Sequence, residues 1–272
     1  MALYISLSGK VICNLKRIIF FSLLMFISSI LQSQSYYFDN YSVEDGLNSS
    51  KVYSLLQDQN DYIWLGTAGG VSRFDGINFE NFTSENGLAP KGVRTVFADS
   101  KANLWLGHLD GGISRYNGTK FEIFKPDSIQ LISDITSITE TSTGQIWFTT
   151  AGNGAILLKN PFDEIDQISA EVFRGKDGLS NKIFNSLLTG DGTFYCLTDV
   201  GIKKFNKTDN KFDNYILPDL TKYWMKTVMF EDSNGNLWFG TYHGGLYKYL
   251  TDQEKMVIYD RKKSVFSTGK RT

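Results

Sequence analysis

The side chains in this sequence that are suited to chemistry are few and scattered. His108 and His243 are its two histidines, standing three and five residues beyond Trp105 and Trp238. A zinc site needs convergent ligands, usually four. Neither spacing supplies the rest, so both histidines read as turn residues. Asp58, Asp99 and Asp232 each precede a tryptophan by six residues. That repetition could suggest a calcium ladder, but calcium loops cluster alternating oxygen ligands. Each aspartate lies instead in a short polar segment, where capping a tight turn is the economical role. Ser72 and Ser114 sit beside Arg73 and Arg115 with no histidine at a repeat-consistent position, so a base-activated serine nucleophile is not expected. Gly69-Gly70, Gly111-Gly112 and Gly244-Gly245 lack the helix and the Lys-Ser/Thr ending of a phosphate loop. They read as permissive backbone between strands. Cys196 falls in the apolar run Thr193–Leu197 and reads as a buried thiol. No catalytic, cofactor-binding or metal-binding residue is assigned, no cofactor is expected, and the chain reads as a non-enzyme.

The elements that carry these residues are set by a repeat. Ile63-Trp64-Leu65-Gly66-Thr67 recurs at Leu104–His108, Ile146–Thr150 and Leu237–Thr241, with a weaker copy at Phe194–Thr198 in which Tyr195 replaces tryptophan. The anchors are 41, 42, 48 and 43 residues apart. A fixed period of this size outranks any local motif. Within the first period the strand-like runs are Val52–Leu56, Tyr62–Thr67, Val71–Phe74 and Ile77–Phe82, the last two joined by Asp75-Gly76, a tight hairpin turn. The other periods repeat this design, the third with an insertion around Asn160–Ile168. Four antiparallel strands per period of roughly 40 to 50 residues is the pattern of a propeller blade. The expected fold is all-β: a β-propeller of four-stranded antiparallel blades, about five present and the propeller incomplete. The repeat units are about 48–82, 90–124, 132–173, 181–216 and 224–260, with an additional strand at Tyr36–Tyr41. The large aromatic anchors are expected to fill the gaps between blades.

Residues 1–35 stand apart. Lys16-Arg17, the apolar run Ile18–Leu31 and a small polar ending are the parts of a secretory signal peptide. The 14-residue apolar run is short of the roughly 20 a bilayer span needs. The organisation is therefore a signal peptide with an N-terminal extension over 1–35, blades over 36–260 and a basic tail over 261–272. Cys13 leaves with the leader, so the body has one cysteine and must hold together by packing. The formal net charge of -1 hides a partition: residues 36–260 carry 20 basic against 29 acidic residues, about -9. Such a body lacks the electropositive footprint of a nucleic-acid binder, and no nucleic-acid partner is expected.

The repeat resembles the two-component regulator propeller family. The resemblance rests on Asp58, Ile63–Thr67, Gly70–Phe74, Phe79–Phe82 and Asn86-Gly87-Leu88 in the first unit, and on Gly111–Tyr116 in the second. Asp232, Asn234–Thr241 and Gly244-Gly245-Leu246 carry it in the fifth, and Tyr36–Asp45-Gly46-Leu47 resembles the opening of such a sensor. The resemblance implies the N-terminal periplasmic sensor region of a bacterial (hybrid) histidine kinase. An extracellular or periplasmic ligand, a glycan fragment for example, would be recognised outside the cytoplasm. The parent receptor would sit in the inner membrane as a homodimer. No phosphoacceptor helix or ATP-binding region occurs in these residues, so this chain would be the non-catalytic part, expected to be a truncated or separate piece of a sensor. The alternatives are a secreted propeller binding or scaffold protein and, with less support, a propeller lyase. Specificity in a repeat array belongs where units differ: Leu109-Asp110, Asn153, Asn160–Gln167, Asp199-Val200, Tyr242-His243 and Tyr223-Trp224.

Overall fold

Alternation of apolar residues and glycine-bearing turns divides the chain into twenty short strands in a computed structural model that describes Phe20 and residues 38–125, 130–215, 226–241 and 245–259. The leader, except for Phe20, and the basic tail lie outside the described residues, as do Tyr223, Trp224, Tyr242 and His243. Blade 1 comprises β1 (Val52–Gln57), β2 (Ile63–Thr67), β3 (Gly70–Phe74) and β4 (Phe79–Phe82). Blade 2 comprises β5 (Val93–Ala98), β6 (Leu104–His108), β7 (Ile113–Tyr116) and β8 (Phe121–Phe124). Blade 3 follows with β9 (Ile135–Glu140), β10 (Ile146–Thr150), β11 (Ala155–Leu158) and β12 (Ala170–Phe173). Blade 4 has β13 (Ile183–Leu188), β14 (Phe194–Thr198), β15 (Gly201–Asn206) and β16 (Lys211–Tyr215). Blade 5 has β17 (Lys226–Glu231), β18 (Leu237–Thr241), β19 (Leu246–Leu250) and β20 (Lys255–Tyr259). Every blade is a four-stranded antiparallel meander in sequence order. The five aromatic anchors Trp64, Trp105, Trp147, Tyr195 and Trp238 all fall on second strands, as the spacing requires.

Period-two alternation gives each sheet two apolar faces. Trp64, Leu56 and Val71 look toward the next blade, while Leu55 and Leu65 look toward the position before it. Four clusters result, each built from the outgoing face of one blade and the incoming face of the next: blades 1 and 2 around Trp64, 2 and 3 around Trp105, 3 and 4 around Trp147, 4 and 5 around Tyr195. Trp64 contacts Tyr116 and Phe121 across the first gap, and Trp147 stacks on Phe194 at 4.6 Å across the third. Trp64, Trp105, Trp147 and Tyr195 are thus inter-blade plugs. Cys196 lies buried in the third cluster, where burial pushes its thiol pKa well up.

Among the described residues, both terminal faces expose large apolar side chains. Val96, Ile138 and Met229 are buried on incoming faces, but Leu55, at the same register in blade 1, is 66% exposed. At the outgoing face of blade 5, Phe230 is 60% exposed and Trp238 is only half-buried, stacked on Tyr259 of its own blade.

Two repeated devices shape the connections. Each first strand carries a bulge one residue after its start, at Tyr53, Arg94, Thr136, Phe184 and Thr227, where the pairing skips a residue. A bulge of this kind re-aims the side chain it frees, and Arg94 uses it to reach Asp134 at 2.8 Å. Before blades 1, 2 and 4 the chain makes one turn of 3-10 helix, capped by the Ser42 or Thr83 hydroxyl in the first two, and stopped by Gly46, Gly87 or Gly178 in the left-handed region. The leucine that follows, Leu47, Leu88 or Leu179, is buried. The sequence Phe38–Leu47 copies Phe79–Leu88 in this respect, yet the strand expected at Tyr36–Tyr41 is absent over its described part. Tyr41 instead packs its ring on Phe74 and Phe79.

Candidate functional site

Polar groups gather at the two ends of the blades. Turns joining first to second and third to fourth strands lie at one end. Turns joining second to third strands, and the connectors between blades, lie at the other.

The aspartates spaced six before tryptophan occupy the first end, and they do more than close turns. Asp58 accepts the backbone N–H of Asn60 and Tyr62 on one oxygen, and the Trp64 indole N–H on the other at 2.7 Å. Asp99 repeats this with Lys101, Asn103 and Trp105, and Asp232 with Asn234, Asn236 and Trp238. Across the sheet from these tryptophans stands a cation: Arg73, Arg115 or Lys248. Lys248 lies 4.7 Å from the Trp238 ring centre and 2.9 Å from Asp232. The Lys248 ammonium and the Trp238 N–H hold the Asp232 carboxyl well below its usual range. Such clasps fix the anchor aromatics and use up the carboxylates. Among the described residues no three His, Cys, Asp or Glu side chains gather as metal ligands.

The Asn160–Gln167 insertion also belongs to this end and is tied down. Asn160 bonds Asp163, Gln167 and Ser169, and Ile168 joins the core between blades 2 and 3. Arg115, itself buried against Glu122, donates to the carbonyls of Pro161 and Asp163. The insertion therefore bridges two blades.

At the opposite end the turns differ from blade to blade. Thr67, Thr150, Thr198 and Thr241 close the second strand by donating their hydroxyls to a turn carbonyl. Blade 2 has His108 at that place. This corrects the reading of His108 as a turn residue: it ends β6 and is fully buried. Burial lowers its pKa from 6.5 to about 4, against a raising hydrogen bond to the Lys91 carbonyl. No histidine recurs from blade to blade beside the serine, yet the single His108 does meet Ser114. Leu106, His108 and Ser114 share one sheet face, so His108 Nε2 meets Ser114 Oγ at 2.9 Å. Both side chains are inaccessible, and Ser114 Oγ accepts the Ala89 N–H, so the pair braces the connector.

The connectors show a second difference. Asn48 lays its side chain on the turn of blade 1, within 2.7 Å of where a Cβ at Gly69 would stand. Ser180 reaches Asp199 in blade 4. In blade 2 the equivalent residue is Ala89, too short to cross. A hollow of about 390 Å³ remains there, walled by Ala89, Pro90, Phe124 and Leu131, with the exposed Lys91 and Lys125 beside it.

Of the irregular positions singled out in the sequence, Asp110 lines this hollow, and its N–H is held by Asp134 at 3.0 Å. Asn153 accepts from Ile132 and Ser133, a connector link. Val200 is 58% exposed at the tip of its turn. The structure therefore brings Asp110, Asn153 and Asp199 to one end and places the 160–167 insertion at the other.

The family model described as two component regulator propeller matches residues 46–69 and 223–243. The two-component regulator propeller repeat is thus present in those two segments. The first match runs from the glycine stop before blade 1 through β2, and both contain the anchor segment. Among solved structures, the extracellular domain of a hybrid two-component system from B. thetaiotaomicron is similar, with 20% identity and a TM-score of 0.66 over 80% of this chain and 31% of that one. PorZ, a surface component of the type-IX secretion system of Porphyromonas gingivalis, matches at 15% identity and a TM-score of 0.62, over 77% of this chain and 34% of that one. Virginiamycin B lyase from Staphylococcus aureus matches at 14% identity and a TM-score of 0.59, over 77% and 70%. At such identities the likeness speaks for the fold. The chain spans about a third of the first two structures' length. No curated protein sequence matches it.

Proposed function

We propose that these repeats form an extracytoplasmic recognition module of a two-component sensor, without catalytic chemistry of its own. The observation that carries this reading is the regulator-propeller repeat itself, matched at residues 46–69 and 223–243 and built into five blades. In this reading the signal-peptide pattern of residues 1–35 exports the body. Ligand binding at the variable turns is passed to a kinase in the parent receptor, a homodimer in the inner membrane. A glycan fragment is the ligand class to examine first. Polar turns differing from blade to blade, on a scaffold fixed by shared residues, fit recognition by a rigid frame with variable loops. A thermal-shift panel of oligosaccharides and small organic acids tests this. A saturable rise in melting temperature with one compound class supports recognition, and a flat response across the panel counts against it.

A second reading, a protein-binding scaffold, draws on the exposed apolar side chains at Leu55 and Phe230. Apolar surfaces of that kind mark protein contacts. A lyase of similar architecture has less in its favour, because the fold alone links the two and one fold hosts unrelated functions.

A further inference from the structure

The hollow beside blade 2 differs from the rest of the repeat in three independent ways. First, Ala89 stands where Asn48 crosses onto the turn in blade 1, which opens the space. Second, His108 replaces the threonine that closes the second strand of the other four blades. The imidazole is drawn down onto Ser114, away from the turn. Third, the backbone is strained here. Six described non-glycine residues have positive φ, and four of them, Asp61, Ala102, Asn210 and Glu254, lie in turns at the opposite end. The other two, Lys91 (φ 80°) and Asp110 (φ 57°), both line this hollow. Non-glycine residues held in that region cost free energy and tend to cluster at ligand sites.

The chemistry of the lining sets the ligand. Its walls are apolar: Ala89, Pro90, Phe124 and Leu131. Lys91 and Lys125 are exposed, and neither forms an ion pair with a described residue. Among the described residues of the lining, Asp110 is the one acid. Two unpaired ammonium groups above an apolar wall match a compact molecule with an apolar body and one carboxylate. We propose that this hollow is a binding site for small organic carboxylates, with the apolar body against Phe124 and Leu131 and the carboxylate at Lys91 and Lys125.

The inference deepens the recognition reading and rests on it, but the two fail separately. The probe is 4-phenylbutyrate, compared with its uncharged amide, titrated into the full chain by calorimetry. Saturable binding of the carboxylate is expected, with the amide at least tenfold weaker. The Ala89→Asn variant restores the filling residue of blade 1 and should abolish binding while leaving the melting temperature unchanged. A Lys91→Gln/Lys125→Gln variant, altered only at exposed side chains, should bind at least tenfold more weakly and keeps the test valid if Ala89→Asn fails to fold. No saturable binding at millimolar carboxylate, equal affinity for acid and amide, or undiminished binding by either variant would overturn the proposal. If another compound binds and Ala89→Asn leaves that binding intact, this site falls and the recognition reading stands.

Discussion

Removing the Asp99 carboxylate tests how the anchors are held. Asp99 is 3% exposed and accepts four hydrogen bonds: the N–H groups of Lys101 and Asn103, the Asn103 amide and the Trp105 indole N–H at 2.9 Å. In Asp99→Ala the indole N–H stays buried, because Trp105 is fully enclosed between blades 2 and 3. A buried donor without a partner costs about 1–3 kcal/mol. The freed turn N–H groups can reach water and add less, so the expected loss is about 3 kcal/mol. Trp105→Phe removes the same donor along with part of the ring. In a double-mutant cycle the pair should therefore show coupling of about 1–2 kcal/mol, since the second change removes a penalty already incurred. Asp58→Ala should cost less, because Asp58 is only half-buried and water can replace it. The assay is equilibrium urea unfolding followed by far-ultraviolet circular dichroism. Additive single mutants, or equal costs at Asp58 and Asp99, would refute the clasp as a source of stability.

Gly178→Ala should destabilise by at least about 2 kcal/mol, since its φ is +80° and the new Cβ would stand 2.1 Å from the Phe212 carbonyl. Gly118→Ala, at φ +92° with open space around it, should cost about 1 kcal/mol in the same unfolding assay. His108 is neutral when folded, with its pKa lowered from 6.5 to about 4, so the unfolded state binds the extra proton first. Its contribution is intact above pH 6.5 and is lost as pH falls toward 4, at about 1.4 kcal/mol per unit. His108→Gln should flatten the pH dependence of the urea midpoint across that window, and an unchanged slope would contradict the assignment. Arg115→Ala should release the 160–167 bridge, read as faster amide exchange there with blades 4 and 5 unaffected.

The scaffold was legible because it recurs. Five anchors at near-constant spacing define the blades, and the aspartates six residues before tryptophan were legible as turn residues. The indole bond was not, although the same spacing carries it. Six residues span a tight turn and return the chain to face its own start. His108 was misread because position after a glycine says nothing about which sheet face a side chain takes. The alternation from Leu106 would have placed it inward beside Ser114. The Asn160–Gln167 insertion looked like a specificity loop, but its role depends on Arg115, a residue 45 positions before Asn160 that no local pattern links to it. The hollow is a difference between Asn48 and Ala89, visible only once the connectors are superposed in register.

A sensor role requires that these blades meet their ligand outside the cytoplasm. Protease treatment of cells with a permeabilised outer membrane and an intact inner membrane, followed by N-terminal sequencing of the untreated protein, tests this directly. The blades should be cleaved without lysis, and the mature chain should begin within a few residues of Ser35. A chain protected until the inner membrane is broken, and still carrying Met1, would contradict that role.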